Sequence, residues 1–427
     1  MPPRNRIIVD TDPGVDDVLA LLFALASSPE DLELLMISVS YGNIPVEGCL
    51  KNVMSLFQVL QKEITWRLST GRPEGFESLK TFKPIVAIGP EHGLEEELLA
   101  EDGFHGPGGL HGVHESHPHL SPDDTWRSLF QDESLSKDTS EAYKSYFTPC
   151  SRPAHLEILR LLREEPEGTI SICVIGPMTN IAMAAAAEPE TFLRVKELIV
   201  MGGAVDYPGN ITPVAEFNTY ADPTATASVF ALTSMTPAST MPIAREYLIN
   251  MPPYPRVLSK RLRINLFPLE LTTRHVMRRE QFSKFVAPYL AAGSPLATFV
   301  KAFMDGTFRQ IEKMAGGPLR DPGLQLHDPM TIWFALTRDD PRWRTADHGA
   351  EDIRVETSGQ WTRGMHIRDR RAIQETKGSL TAASDDVIGD EFGWLSARKG
   401  NQIHRYLNSP GLELLAPMLL GQIFSSI

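Results

Sequence analysis

Short apolar runs alternate with longer helical stretches along the first half of the chain. The runs that predict strands are Ile7–Val9, Leu34–Val39, Pro84–Ile88, Ile170–Ile175 and Leu198–Met201. The stretches that predict helices are Val18–Ala26, Val46–Leu60, Leu156–Leu162 and Ile181–Ala187. Continuously apolar strands separated by helices are typical of a sheet buried on both faces. The pattern therefore predicts an α/β fold with a mostly parallel, helix-flanked, Rossmann-like sheet, whose ligands bind at the carboxyl ends of the strands.

Three polar stretches interrupt this alternation: Val113–Pro153, Thr240–Arg263 and Asp339–Asp352. They are rich in charged residues, proline or both, and they show little periodicity. Long irregular stretches of this kind usually run over the surface of a domain. No internal repeat is apparent. We therefore expect one domain over residues 1–427, with surface insertions at about 113–153, 240–263 and 339–352.

Composition narrows the class of protein. The chain has 41 Lys+Arg against 54 Asp+Glu, a net charge of −13, and 42% hydrophobic residues. This apolar content excludes a disordered chain, and the acidic balance argues against a nucleic-acid partner. No apolar run approaches the roughly 18 residues that span a bilayer, and no secretory signal is visible. Three cysteines fit a reducing compartment, so we expect a cytoplasmic protein without a membrane partner.

The acidic segment Asp10–Asp17 carries the strongest chemical signal. Four carboxylates flank Pro13-Gly14, directly after a predicted strand and before a predicted helix. Carboxylates this close repel one another unless a positive charge binds between them. Because the candidate ligands are all oxygens, the segment favours Ca²⁺ or Mg²⁺ over Zn²⁺.

Two other interpretations of this segment stay open at this point. Helix capping by Asp10 or Asp16 explains one or two aspartates, but not four around Pro-Gly. An Asp-x-Asp sequence after the first strand also begins phosphohydrolases in which the first aspartate is the nucleophile. In that case Asp10 would attack phosphorus, although the pair Asp16-Asp17 fits that pattern poorly.

Five blocks in collinear order resemble the calcium-dependent nucleoside hydrolases, the inosine/uridine-preferring N-ribohydrolases. The blocks are Asp10–Asp17; Ser40–Asn43; Ile175–Ala182; the series Met201–Gly203, Asn210, Ala215–Asn218 and Ala221–Pro223; and His327–Pro329. The resemblance implies hydrolysis of ribonucleosides to ribose and free base. It also implies roles in purine or pyrimidine salvage and a homodimer or homotetramer. The base preference stays open, as does a homologue that binds nucleoside or calcium without catalysis.

The resemblance further implies a role for each matching residue. Ca²⁺ would be bound by Asp12, Asp17, the main-chain carbonyl of Ile175 and Asp328. Asp12 would also act as the general base toward a Ca²⁺-bound water. Asp10 would either hydrogen-bond to the ligands without touching the ion or position the water.

The substrate contacts follow from the same resemblance. The ribose hydroxyls would be bound by Asp16, Asn43, Asn210, Glu216 and Asn218, with Met201 below the sugar. Glu216 and Asn218 would share one face if their segment is extended. His327 would assist the leaving base, and His105 would lie on a mobile, glycine-rich loop beside it.

Two further features are given structural interpretations. Phe303, Phe308 and Trp333 could stack on a base, but their helical spacing favours core packing. The histidines at 111, 114, 117 and 119 lack a recognisable zinc spacing, so we do not predict a metal there.

Overall fold

The computed structural model describes residues 3–95, 103–131, 146–242, 252–346, 349–371, 390, 392–396 and 399–424. The strands in these ranges are β1 Asn5–Thr11, β2 Leu32–Val39, β3 Ile85–Ile88, β4 Thr148–Cys150, β5 Ile170–Val174, β6 Glu197–Met201, β7 Ile264–Phe267, β8 Val276–Arg278, β9 Gly323–Gln325, β10 Arg344–Thr345, β11 Ile353–Val355, β12 His366–Arg368 and β13 Ile403–Asn408. The α-helices are α1 Val15–Leu25, α2 Val46–Ser69, α3 Glu77–Phe82, α4 Val113–Ser116, α5 Ala154–Glu164, α6 Thr179–Ala187, α7 Pro189–Phe192, α8 Phe217–Ala221, α9 Pro223–Ala231, α10 Leu269–Thr272, α11 Arg279–Ala291, α12 Pro295–Met314, α13 Pro329–Thr337 and α14 Leu415–Phe424.

Nine strands form the central sheet in the order β10-β13-β7-β6-β5-β1-β2-β3-β4. Every neighbouring pair is parallel except β10 with β13. Two small antiparallel pairs, β8-β9 and β11-β12, lie outside this sheet. The predicted α/β fold with a mostly parallel sheet is confirmed.

Apolar side chains fill both faces of the sheet. Alternate residues of β1 point into separate cores: Ile7 and Val9 belong to one, and Ile8 belongs to the other. Residues from α1, α2, α12, α13 and α14 complete the first core, and residues from α5, α6 and α9 complete the second. This double burial is the physical reason for the uninterrupted apolar runs. Phe303, Phe308 and Trp333 lie in the first core, as predicted.

The three predicted insertions are partly built into the fold. In the first, β4 extends the sheet by pairing with β3, and Trp126 and Phe147 are buried; residues 132–145 lie outside the described residues. In the second and third, residues 243–251 and 347–348 also lie outside them, and β10 forms the far edge of the sheet. Their interpretation as surface insertions stays a prediction.

Candidate active site

Four neighbouring strands, β6-β5-β1-β2, end at one edge of the sheet. Because these strands are parallel, the segments that follow them converge. These segments contain the acidic residues after β1, Asn43 after β2, Ile175 after β5 and the loop after β6. His327 and Asp328 reach the same edge from the junction between β9 and α13.

A cavity of about 180 Å³ opens at this edge. It is lined by Asp16, Asn43, Phe104, His105, Ile175, Met201, Asn210, Glu216, Phe217, Asn218, Met314, Leu324, Gln325, His327 and Asp328. Ten of the thirteen residues singled out from the sequence are among them. The other three, Asp10, Asp12 and Asp17, are fully buried and do not line the cavity.

Asp16, Asp17 and Asp328 form a buried acidic cluster. One carboxylate oxygen from each lies within 4.8 Å of the other two. Burial and the charge of Asp17 raise the pKa of Asp16 to about 7. Burial and the charges of the neighbouring aspartates hold the pKa of Asp328 well above its usual value. Since such crowding disfavours the charged forms, a cation between these oxygens would relieve it.

Hydroxyl, backbone and side-chain amide donors hold the Asp17 carboxylate in one orientation. Its Oδ1 accepts from the Thr11 hydroxyl at 2.7 Å, and its Oδ2 accepts from the Gly14 N–H at 3.0 Å. The side-chain amide of Asn43 donates to Oδ2 at 2.9 Å and to the main-chain carbonyl of Asp12 at 3.0 Å. In this arrangement Asn43 braces the acidic turn. Asp17, in the first turn of α1, also satisfies an N–H at the helix start.

Asp12 sits in a cradle of two glycines. A Cβ atom on Gly42 would lie 2.0 Å from its Oδ2, and one on Gly176 would lie 2.6 Å from its Oδ1. Oδ2 accepts from the Asn43 N–H at 2.8 Å, whereas Oδ1 is buried without a hydrogen-bond partner. Burial and the charge of Asp17 raise the pKa of Asp12 well above its usual value. A buried, unpaired carboxylate oxygen is costly unless a ligand satisfies it.

Asp10 lies beneath the acidic turn. Its Oδ1 accepts from the Ser38 hydroxyl and, at 2.9 Å, from the Asn180 amide. Burial raises its pKa to about 7. Its other oxygen, Oδ2, is buried without a hydrogen-bond partner, and Asp10, like Asp12 and Asp17, does not line the cavity.

The Glu216 segment differs from the extended form considered above. Glu216 is the N-cap of α8, and its carboxylate accepts from the N–H groups of Asn218, Thr219 and Gly203 at 2.7–3.0 Å. The condition of an extended segment is therefore not met from Phe217 onward, because the carboxylate satisfies free N–H groups at a helix start. Both side chains still line the cavity, and Asn218 donates to the Ile175 carbonyl at 3.0 Å.

Two histidines line the cavity. His105 Nδ1 accepts from the Val15 N–H at 3.0 Å, so its proton is on Nε2. His327 contacts the Thr272 hydroxyl through Nδ1 at 2.7 Å and Gln325 through Nε2 at 3.2 Å. Burial lowers the pKa of both rings to about 4. Both are therefore neutral near pH 7.

Sequence reasoning missed five residues of the lining. Phe104 and Phe217 adjoin residues that were singled out, so their neighbours gave a local signal. Met314, Leu324 and Gln325 carried no signal, because the end of α12 and the strand β9 bring them to the cavity only in the folded chain.

Comparisons with known proteins agree with this geometry. The family model described as inosine-uridine preferring nucleoside hydrolase matches residues 7–392. The pyrimidine-specific ribonucleoside hydrolase RihA of Salmonella newport is 28% identical over 381 residues, covering 89% of this chain and 93% of RihA. An uncharacterized protein of Schizosaccharomyces pombe is 29% identical over 364 residues, covering 85% of this chain and 89% of that protein.

Solved structures show the same fold. A purine-preferring ribonucleoside hydrolase from Gardnerella vaginalis superposes with a TM-score of 0.64 at 20% identity, and each chain is 99% covered. A plant nucleoside hydrolase gives a TM-score of 0.63 at 20% identity, also with 99% of each chain covered.

An acidic cavity at the carboxyl edge of a parallel sheet defines an α/β enzyme with a site for a small polar substrate. The chain belongs to the inosine-uridine preferring nucleoside hydrolase family. RihA and the structural neighbours are nucleoside hydrolases, and the family supports hydrolysis of the N-glycosidic bond of ribonucleosides. Among the residues that the structure describes, no helix combines the length and apolarity needed to cross a membrane.

Proposed function

We propose that this cavity hydrolyses ribonucleosides to ribose and free base, with Asp12 as general base and Ca²⁺ as the bound metal. The observation that carries the proposal is the buried cluster of Asp16, Asp17 and Asp328, of which Asp16 and Asp328 line the cavity. Asp12, whose Oδ1 has no hydrogen-bond partner, is near enough for its charge to help raise the pKa of Asp328. Helix capping does not explain why the Asp328 carboxylate meets those of Asp16 and Asp17, which lie in a distant segment of the chain.

The donor set fits a hard cation. Carboxylates from Asp17 and Asp328 meet at one point, and the Asp12 N–H donates to Asp17 Oδ1 at 3.3 Å. Ile175, whose carbonyl accepts from Asn218, lines the cavity. These are oxygen ligands of the kind that Ca²⁺ prefers, and no histidine or cysteine belongs to the cluster. When bound, the ion would lower the pKa of a water and orient the sugar. Asp16 lies close enough to share in this role.

The position of the Asp12 carboxylate suits a general base. One of its oxygens is fixed by the Asn43 N–H, and the other is free to take a proton from the attacking water. The absence of a Cβ at Gly42 and Gly176 leaves room for the carboxylate in this position. A general base must reach its proton at hydrogen-bond distance, so this fixed position supports the role.

Polar side chains on the cavity wall would bind the ribose. Asp16 and Asn43 would bind the 2′ and 3′ hydroxyls, while Asn210, Glu216 and Asn218 would bind the 3′ and 5′ hydroxyls beside Met201. Glu216 and Asn210 are pre-oriented, because both already accept backbone N–H bonds. Preorganised side chains lose less entropy when substrate binds.

The base would leave toward the aromatic and histidine side of the cavity. Phe104 and Phe217 offer apolar surface, and His105 carries its proton on Nε2, the nitrogen left free by Val15. This N–H can donate to the departing base, and His327 lines the same cavity. The cavity is smaller than the roughly 300 Å³ at the lower end of typical ligand sites, so a nucleoside would project its base through the open side.

The wider setting is part of the same proposal. Release of free bases suits purine or pyrimidine salvage in the cytoplasm, and we propose a homodimer or homotetramer. Light scattering after size-exclusion chromatography measures the oligomeric state directly.

A ribonucleoside panel tests the proposed reaction. Purine, pyrimidine and nicotinamide ribosides are incubated with chelated enzyme and with enzyme reloaded with Ca²⁺ or Mg²⁺, and released ribose is measured. We expect turnover only after Ca²⁺ is restored, and none from Asp12→Asn. Turnover of phosphate monoesters alone, or tight nucleoside binding without turnover, would contradict the proposal.

A further inference from the structure

A buried amide on α2 connects two segments of the candidate site. Asn52 is fully buried, and its Nδ2 donates to the Pro13 carbonyl at 2.8 Å and to the Gly108 carbonyl at 3.0 Å. Pro13 belongs to the acidic turn, and Gly108 belongs to the loop that carries His105. One side chain therefore bonds to both segments.

The side-chain oxygen of Asn52 also has a hydrogen-bond partner. Oδ1 of Asn52 can only accept, so His114 donates to it from Nε2 at 2.7 Å. His114 Nδ1 then accepts from the Ser121 hydroxyl at 2.8 Å. Burial lowers the pKa of His114 to about 4, so the ring stays neutral near pH 7. A fully satisfied buried network of this kind holds its members in one arrangement.

The loop that Asn52 holds has an unusual backbone. Gly106, Gly108, Gly109 and Gly112 all have positive φ, and so does the non-glycine residue His111, at 52°. A left-handed non-glycine residue costs free energy and persists where its surroundings hold it. The ring of His111 packs against Gly306 of α12, where an added Cβ would lie 2.3 Å from His111 Cβ. The loop therefore needs contacts of this kind to keep it in its present conformation.

We propose that Asn52 is a positioning residue that latches the His105 loop onto the acidic turn. The Val15 N–H also joins the acidic segment to this loop, by donating directly to His105 Nδ1. When Asn52 loses its donors, the Gly108 carbonyl is freed and the buried Pro13 carbonyl is left unpaired. Both changes favour an open loop, which removes His105 from the cavity.

The kinetic part of this inference rests on the proposed function, whereas the structural part does not. The loop amides of Gly109, His111 and Gly112 bond within the loop, to Gly106, His105 and Pro107. Hydrogen exchange at these amides reports loss of the loop's own structure, and exchange at the Val15 N–H, which donates to His105 Nδ1, reports separation of the loop from the acidic turn. Both measurements hold whether or not the enzyme hydrolyses nucleosides.

The test compares Asn52→Leu with Gln61→Leu, which makes the same amide-to-leucine change elsewhere on α2. Asn52→Ser serves as a second variant should the leucine prevent folding. For the Asn52 variants we expect exchange at the Val15 N–H and at the loop amides of Gly109, His111 and Gly112 to rise at least tenfold, without a matching rise in the central strands. We also expect KM for a ribonucleoside to rise about tenfold or more, with a smaller change in kcat.

The control Gln61→Leu should match the unmodified protein in both measurements. Loop exchange within twofold of the unmodified protein in a folded Asn52 variant would overturn the latch. A uniform rise in exchange over the whole protein would also overturn it, since that is the mark of a merely structural role. If the unmodified enzyme turns over no nucleoside, the proposed function fails while the exchange result still decides the latch.

Discussion

Replacing Gly176 with alanine tests whether the position of Asp12 controls the reaction. The added Cβ would lie 2.6 Å from Asp12 Oδ1 and 3.1 Å from Asp12 Cγ. The φ of Gly176 lies outside the left-handed range, so alanine is compatible with its backbone. The main effect of the substitution is therefore on the neighbouring carboxylate.

The size of the displacement follows from this contact. Real Cβ contacts are essentially never shorter than 3.0 Å, and ordinary contact begins near 3.4 Å, so Oδ1 must retreat by between 0.4 and 0.8 Å. A misplacement of about 1 Å costs roughly 10²-fold in rate, which scales to a loss of about 5- to 40-fold in kcat. The three atoms nearest to this Cβ all belong to Asp12, so we expect a smaller change in Ca²⁺ affinity than in kcat.

The assay measures kcat and KM for ribose release, together with Ca²⁺ affinity by calorimetry. Gly411→Ala is the matched control, because its added Cβ would meet only Leu414 side-chain atoms at 3.3 Å, far along the chain from the site. If folded Gly176→Ala keeps kcat within twofold, the position of Asp12 does not limit the reaction and its role as base is refuted.

Three further predictions concern metal binding, stability and pH. Asp328→Asn removes one charge from the acidic cluster, so calorimetry should show Ca²⁺ binding at least tenfold weaker; unchanged affinity would place the ion elsewhere. Arg67→Met leaves the fully buried Glu63 without its ion-pair partner at 2.8 Å, so urea unfolding should show a loss of about 3–5 kcal/mol; a loss below about 1 kcal/mol would contradict this. Burial alone would raise the pKa of Glu197, but the Arg338 guanidinium, with the other hydrogen-bond donors around this carboxylate, holds it below its usual value. The stabilisation from the ionised Glu197 carboxylate is thus present above its unfolded pKa and is lost as pH falls through its folded pKa. Between pH 7 and pH 3 the free energy of unfolding should therefore fall less in Glu197→Gln than in the unmodified protein; equal losses would contradict this.

The apolar pattern predicted the strands of the sheet because burial on both faces makes each strand continuously apolar by itself. The run Ile7–Val9 lies inside β1, and Leu34–Val39 lies inside β2. Helix starts were less well placed. Helix α1 begins at Val15 rather than Val18, because the Asp17 carboxylate satisfies the Gly14 N–H and starts the helix within the acidic segment. Polar capping of this kind does not appear in an apolar pattern.

The candidate site likewise has one part that the sequence predicted and one part that it did not. The acidic segment Asp10–Asp17 is local, so the sequence alone indicated that a cation or a helix start must accommodate it. The meeting of Asp328 with Asp16 and Asp17 is non-local, since the residues lie more than 300 positions apart. The family resemblance suggested this meeting, but periodicity and spacing did not.

The sequence by itself determined the alternation of strands and helices, the parallel sheet and the chemistry of the acidic turn, because each depends on residues close together in the chain. Only the tertiary structure decided which aspartates share one point, that glycines at 42 and 176 enclose Asp12, and that Asn52 joins two loops. These features depend on distances between segments from different strands and helices, and such distances exist only once the sheet has brought its carboxyl ends to one edge.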